Sequence, residues 1–106
     1  MESKFEKISI LKKTNVYYRG LSLSRTITLK DGSKKTLGVI LPNNSPLIFE
    51  THLDECIEIV SGKCFVKIGD DIEYKLYVEG ESFKIPKNKF FKIKTDEVVD
   101  YICHFL

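Results

Sequence analysis

At 106 residues, 42% hydrophobic and 30% charged, the chain has the composition of an ordinary globular protein. Its length points to one domain with a single modest core. Seventeen basic and 15 acidic side chains leave a net charge of +2, and no long run of like charge interrupts the mixture. That near balance gives no electrostatic reason to expect nucleic acid or a membrane surface as partner.

The first 14 residues, MESKFEKISILKKT, are a charged lead-in with a weak apolar pattern at Phe5, Ile8, Ile10 and Leu11. They are expected to form a helical turn or an added edge strand, with residues 15–106 as the domain proper. The lead-in holds no apolar core of signal-peptide length, and no run in the chain approaches membrane-spanning length. Cys56, Cys64 and Cys103 are odd in number and irregular in spacing, without a CxxC pair. A disulfide framework and a zinc ribbon are therefore not expected. The expectation is a reduced, cytoplasmic protein.

From Asn15 onward, short runs rich in Val, Ile, Phe, Tyr and Thr alternate with turn signals. SLSRTITL and SKKTLGVI flank Asp31-Gly32, a dipeptide that supplies the positive φ angles of a tight hairpin. After the loop Pro42–Pro46 come PLIFET, CIEIV, a Ser61-Gly62 turn, KCFVKI, a turn at Gly69–Asp71 and EYKLYV. A turn at Glu79–Glu81 leads into SFKIP, FFKIKT and DYICHFL. Roughly eight to ten strands and no long helix give an all-β chain, a sandwich or a barrel. Strand alternation puts Ile57 with Ile59, Cys64 with Val66 and Ile68, Phe83 with Ile85, and Tyr101 with Cys103 and Phe105. Most of these are expected in the core.

Two spacings carry more information. Glu55 is followed after CIEIVS by Gly62, and Gly80 after ESFKI by Pro86, with about 18 residues between the two glycines. The glycines allow turns between strands, and the proline ends a strand where no ladder donor is needed. This pattern resembles the two motifs of cupins, which implies a single-domain cupin-type β-barrel, a double-stranded β-helix or jelly roll. The metal ligands of that pattern are missing. The expected histidine pair falls on Ile48 and Glu50 or on Phe49 and Thr51, and the histidine of the second motif falls on Phe91. A transition metal needs about three or four convergent ligands. His52 and His104 are too few to complete such a set around Glu55, and His52 reads more simply as a surface-loop histidine.

NVYYRG, KKTLGVI, EIVSG, YVEGESFKIP and DYICHFL, in this order, resemble the small metal-free cupins of the pyrimidine/purine nucleoside phosphorylase family over residues 15–106. Two departures stand out: the loop FETHLDEC reads about one residue longer than in the family, and His104 stands where Arg is expected. The resemblance implies a homodimeric pentosyltransferase of broad specificity without a cofactor. It would take inorganic phosphate as co-substrate and convert purine and pyrimidine nucleosides to free base and ribose 1-phosphate.

Such chemistry passes through an oxocarbenium-like sugar, as in glycoside hydrolysis. It needs a phosphate cradle, a slot for the base and a proton for the leaving base. For phosphate the candidates are Ser24, Arg25 and Thr26 in SLSRTITLKDG. Ser22, Ser24 and Thr26 alternate onto one face and Arg25 onto the other, so the set can line one pocket only around a bulge. Lys34 and Lys35 beside the turn read as solvated. For the base, Phe49, Tyr77, Phe91 and Tyr101 offer stacking faces, worth about 1–3 kcal/mol per base; the alternative is that they fill the core. Thr51, at a former ligand position, is counted with the substrate-binding residues. Glu55 is the expected catalytic acid, its pKa raised by an apolar surround. Its alternative is a structural carboxylate paired with Arg25, a lysine or Tyr101. Beside the enzyme stand two other readings: a metal-free cupin that binds a sugar or nucleoside without catalysis, and an assembly protein with a solid interior.

Overall fold

A computed structural model describes residues 3–106. Eleven strands run in chain order: β1 Ser9–Ile10, β2 Asn15–Tyr17, β3 Ser22–Thr28, β4 Lys34–Ile40, β5 Leu47–Glu50, β6 Glu55–Ser61, β7 Lys63–Ile68, β8 Lys75–Val78, β9 Ser82–Ile85, β10 Phe90–Lys94 and β11 Val99–Phe105. The helical content among the described residues is one 3₁₀ turn, Tyr18–Gly20. The lead-in contributes β1 as an added strand on β3.

The strands form two antiparallel sheets. The larger runs β1-β3-β4-β11-β6-β9, with β2 also pairing β3; the smaller runs β5-β10-β7-β8. Among the described residues the ladders stay in these two sheets and do not close into one continuous barrel. Two connections that cross between the sheets carry prolines, Pro42 and Pro46 between β4 and β5 and Pro86 between β9 and β10, which lack the amide donor a ladder needs. From β4 onward the chain passes repeatedly from one sheet to the other. Gly62 and Gly80 make two of these crossings with φ of 85° and 88°, a region costly for any residue with a side chain. Asn88 holds a φ of 59° at the position where the cupin pattern has its third glycine. Asparagine tolerates this left-handed conformation better than most residues.

The core lies between the sheets. Ile57, Ile59, Ile85, Val99 and Cys103 from the larger sheet meet Leu47, Cys64, Val66, Phe91 and Ile93 from the smaller. Each large side chain fully buried in this way contributes about 1.5–3 kcal/mol. The inward positions expected from alternation in β6, β7, β9 and β11 hold, although Phe105 remains partly exposed at one end. Tyr18 ties the two sheets together at their edge. Its hydroxyl donates to the Ile48 carbonyl at 2.5 Å and accepts from the Ile48 amide at 2.9 Å, covering unpaired groups of edge strand β5.

Candidate active site

A cavity of about 320 Å³ opens between the two sheets. Both sheets contribute to its wall. The smaller sheet supplies Glu50 and the aromatic pair Phe49 and Phe91, which face each other across the β5–β10 ladder and stack with ring centroids 5.5 Å apart and planes 27° apart. Tyr17 meets Phe49 edge-on at 5.8 Å. The larger sheet supplies most of the polar groups: Ser24 from β3, Thr36 from β4, Glu55 from β6, and Tyr101 and Cys103 from β11.

Glu55 begins β6 with its carboxylate turned into the cavity. The Cys103 thiol donates to its Oε1 at 3.3 Å. Burial raises the Glu55 carboxyl above its ordinary value, opposed by the thiol hydrogen bond and by the charge of His52. Burial and the adjoining carboxylate also push the Cys103 thiol well up, so it stays a protonated donor. Neither Arg25, a lysine nor Tyr101 is the partner of Glu55; a cysteine fills that place.

Tyr101 pairs with Gly38 across the β4–β11 ladder. A Cβ at Gly38 would collide with the tyrosine ring, so the bare backbone there makes room for it. Burial pushes the phenol up to about 12, despite the opposing influence of the Ser22 and Ser24 hydroxyls. Ser22 Oγ is buried and has no partner in hydrogen-bonding geometry, so its contact with Tyr101 is proximity rather than a formed bond.

Glu55, Ser24, Phe49, Phe91 and Tyr101 thus come together as the sequence predicts. Arg25, Thr26, Thr51 and Tyr77 do not line this cavity. Arg25 points outward from β3 and donates to the Lys12 carbonyl at 3.2 Å; no bulge brings it inside, because β3 pairs with β4 in unbroken register. Thr26 Oγ1 accepts from Asn15 Nδ2 at 3.3 Å. Thr51 is fully buried and spends its hydroxyl on backbone, donating to Pro86 O at 2.6 Å and accepting from Lys89 N at 3.1 Å. Tyr77 packs on Phe83, ring centroids 4.6 Å apart.

Five further wall residues were not among the sequence-derived site candidates: Tyr17, Thr36, Glu50, His52 and Phe105. Alternation through Thr36, Gly38 and Ile40 held the signal for Thr36. His52 does sit on an exposed loop, yet it also borders the cavity. His104, the departure from the family pattern, faces away from the cavity and bridges three strands. Its Nδ1 lies 2.7 Å from Lys35 Nζ and its Nε2 3.0 Å from Glu58 Oε1. An ammonium can only donate, so Nδ1 accepts and Nε2 carries the proton toward Glu58.

The positions where cupins hold metal ligands are occupied by a phenyl pair, the backbone-bonded Thr51 and the thiol-bonded Glu55. Among the described residues no three His, Cys, Asp or Glu side chains converge. This donor set does not fit a resident transition metal.

The profile of the pyrimidine/purine nucleoside phosphorylase family matches residues 12–105. The chain belongs to this family. A relative of that name from Acinetobacter baylyi is 54% identical over 96% of this chain and 94% of its own length. Another, from Dechloromonas aromatica, is 47% identical over 97% and 98%. A crystal structure of a protein of unknown function from Acinetobacter sp. ADP1 superposes with a TM-score of 0.97 at 52% identity, covering 99% of this chain and all of that one. The cupin domain of Schizosaccharomyces pombe Cnp3, at 14% identity, 87% and 64% coverage and a TM-score of 0.63, shows the same fold.

Proposed function

We propose that this chain is a nucleoside phosphorylase that cleaves purine and pyrimidine nucleosides with inorganic phosphate, for salvage of free bases and ribose 1-phosphate in the cytoplasm. The observation that carries the reading is a stacking surface and a buried acid in one cavity. A stacking pair, Phe49 and Phe91, faces a carboxyl whose pKa is raised by burial. The cavity is at the small end of the ~300–1,000 Å³ common for ligand pockets, and its open interior argues against a solid assembly barrel. Free thiols at Cys56, Cys64 and Cys103 fit a reducing compartment.

In this mechanism a base stacks on the phenyl wall, where any purine or pyrimidine presents a suitable π face. Protonated Glu55 donates to the departing base as the C1′–N bond breaks. A phosphate oxygen forms the new bond to C1′, and the base leaves with the bonding electron pair and the Glu55 proton. The proton carried by hydrogen phosphate returns to Glu55, which closes the cycle without a cofactor. Positioning the two reactants side by side supplies roughly 7–11 kcal/mol of barrier lowering.

Among the described residues the cavity wall holds no lysine or arginine. That favours, as a second reading, a cupin that binds a nucleoside or sugar without turning it over. Incubation with uridine or inosine, with and without phosphate and with chelator throughout, separates the two. Phosphate-dependent release of uracil or hypoxanthine, untouched by chelator, supports the phosphorylase. Binding without release supports the second reading, and release that needs added metal overturns the metal-free mechanism.

A homodimer completes the proposal. The outer face of the larger sheet carries Leu23, Leu37, Val39 and Ile102, only half-buried, along a groove bordered by Phe5 and Ile10 of the lead-in. Arg25 lies on this face toward one side, with Glu58 and Asp100 toward the other. A second copy related by a two-fold axis would set opposite charges against each other.

A further inference from the structure

We infer that His52 is the phosphate-facing donor of the cavity. The inference rests on the phosphorylase reading and supplies what that reading lacks, a place for the anion.

Three observations lead there. The first is charge. The cavity wall includes Glu50 and Glu55, and among the described residues its single basic side chain is His52. An anionic co-substrate entering beside Glu50 needs a compensating hydrogen-bond donor close by, because partly buried charges are screened far less than those in open solvent. The residues that would otherwise serve are elsewhere. Arg25 lies on the opposite face of its sheet, bonded to the Lys12 carbonyl. Lys35 is on the same outer face, against His104.

The second is position. His52 lies three residues before the proposed acid Glu55, in the loop that leads into β6, and both side chains border the same cavity. It therefore lies beside the space in which phosphate has to meet the ribose of a nucleoside whose base lies on Phe49 and Phe91.

The third is rigidity. The loop is pinned at both ends. Thr51 N donates to Lys89 O at 2.9 Å and Thr51 O accepts from Asn88 N at 2.8 Å. Its hydroxyl adds the bonds to Pro86 and Lys89. Asp54 Oδ1 accepts from Lys87 N at 2.9 Å, and Asp54 O from Leu106 N at 2.9 Å. Only His52 and Leu53 stand between these clamps. An imidazole on a clamped backbone has two side-chain torsions to fix on meeting an anion, whereas a surface lysine has four. Thr51 and Asp54 are therefore positioning residues, acting through His52 and Glu55 rather than on substrate.

Steady-state kinetics of wild type, His52→Ala and His52→Lys, varying phosphate and nucleoside separately, test this. The expected result is a phosphate KM raised about tenfold in His52→Ala, in line with one charge-assisted hydrogen bond. The nucleoside KM and thermal midpoint should stay unchanged, and His52→Lys should recover most of the phosphate affinity. Arg25→Ala serves as control and should leave the phosphate KM as it is. An active wild type whose phosphate KM is indifferent to His52→Ala overturns the inference alone. Equal rises in both KM values overturn it too, because they mark His52 as a structural part of the loop. A wild type that releases no base with phosphate overturns the phosphorylase reading and takes the inference with it.

Discussion

Glu55 is where burial and chemistry meet. Its carboxyl is raised above the ordinary 4.5 chiefly by desolvation. The folded chain therefore holds this proton more tightly than the unfolded chain does. The contribution to stability is complete below the ordinary value and is lost as pH rises through the raised one. Glu55→Gln stays neutral at every pH, so its urea midpoint should gain on that of wild type between about pH 4.5 and neutrality. In the proposed reaction the same variant should release base at least about tenfold more slowly, as expected when a general acid is removed. Unchanged turnover would take Glu55 out of the mechanism. At Gly38 the risk is steric. Gly38→Ala would drive a methyl into the Tyr101 ring, and overpacking of this kind costs about 1–3 kcal/mol. Chemical denaturation should register the loss, with weaker nucleoside binding if Tyr101 swings into the cavity.

Among the elements, the loop between β5 and β6 shows how one buried threonine fixes a site without touching it. Thr51→Val keeps the shape but strands the Lys89 amide and removes the hydroxyl donor to Pro86. An unsatisfied buried group costs about 1–3 kcal/mol, so denaturation should show a loss of that size. Hydrogen exchange should speed up at Lys89, where the amide loses its partner. Sequence alone marks Thr51 as a vacant ligand position and a substrate-binding candidate and misses its backbone role, because its partners lie 35 and 38 residues away. Where side-chain direction follows from strand alternation, reading the sequence works. Alternation sets Ser24 and Arg25 on opposite faces of β3, and the resemblance to the cupin motifs turns Glu55 and Phe91 inward. The Asp31-Gly32 hairpin is equally legible, since its contacts are local: Asp31 Oδ1 accepts from Ser33 N at 2.9 Å and Ser33 Oγ at 2.6 Å. Tyr17 and His52 escape such reasoning. They reach the cavity from a short edge strand and a loop, where no period of two applies.

At the scale of the whole molecule, the all-β character and the order of strands could be read from hydrophobic alternation and turn residues. The division into two sheets could not, because it depends on which strands find each other across long stretches of chain. The larger sheet leaves an outer face whose apolar residues are only half covered. Sedimentation at micromolar concentration should give a dimer, and Val39→Glu, which places a charge in the middle of that face, should give monomers with the fold intact. A monomeric wild type would remove the proposed assembly.

The phenyl pair belongs to one sheet, and the acid, the thiol and the phenol to the other. A nucleoside seated between them would act as a rivet, gripped by its base on one side and its sugar on the other. Occupancy and rigidity would then rise together, and without such a ligand the two sheets would be freer to breathe along their seam.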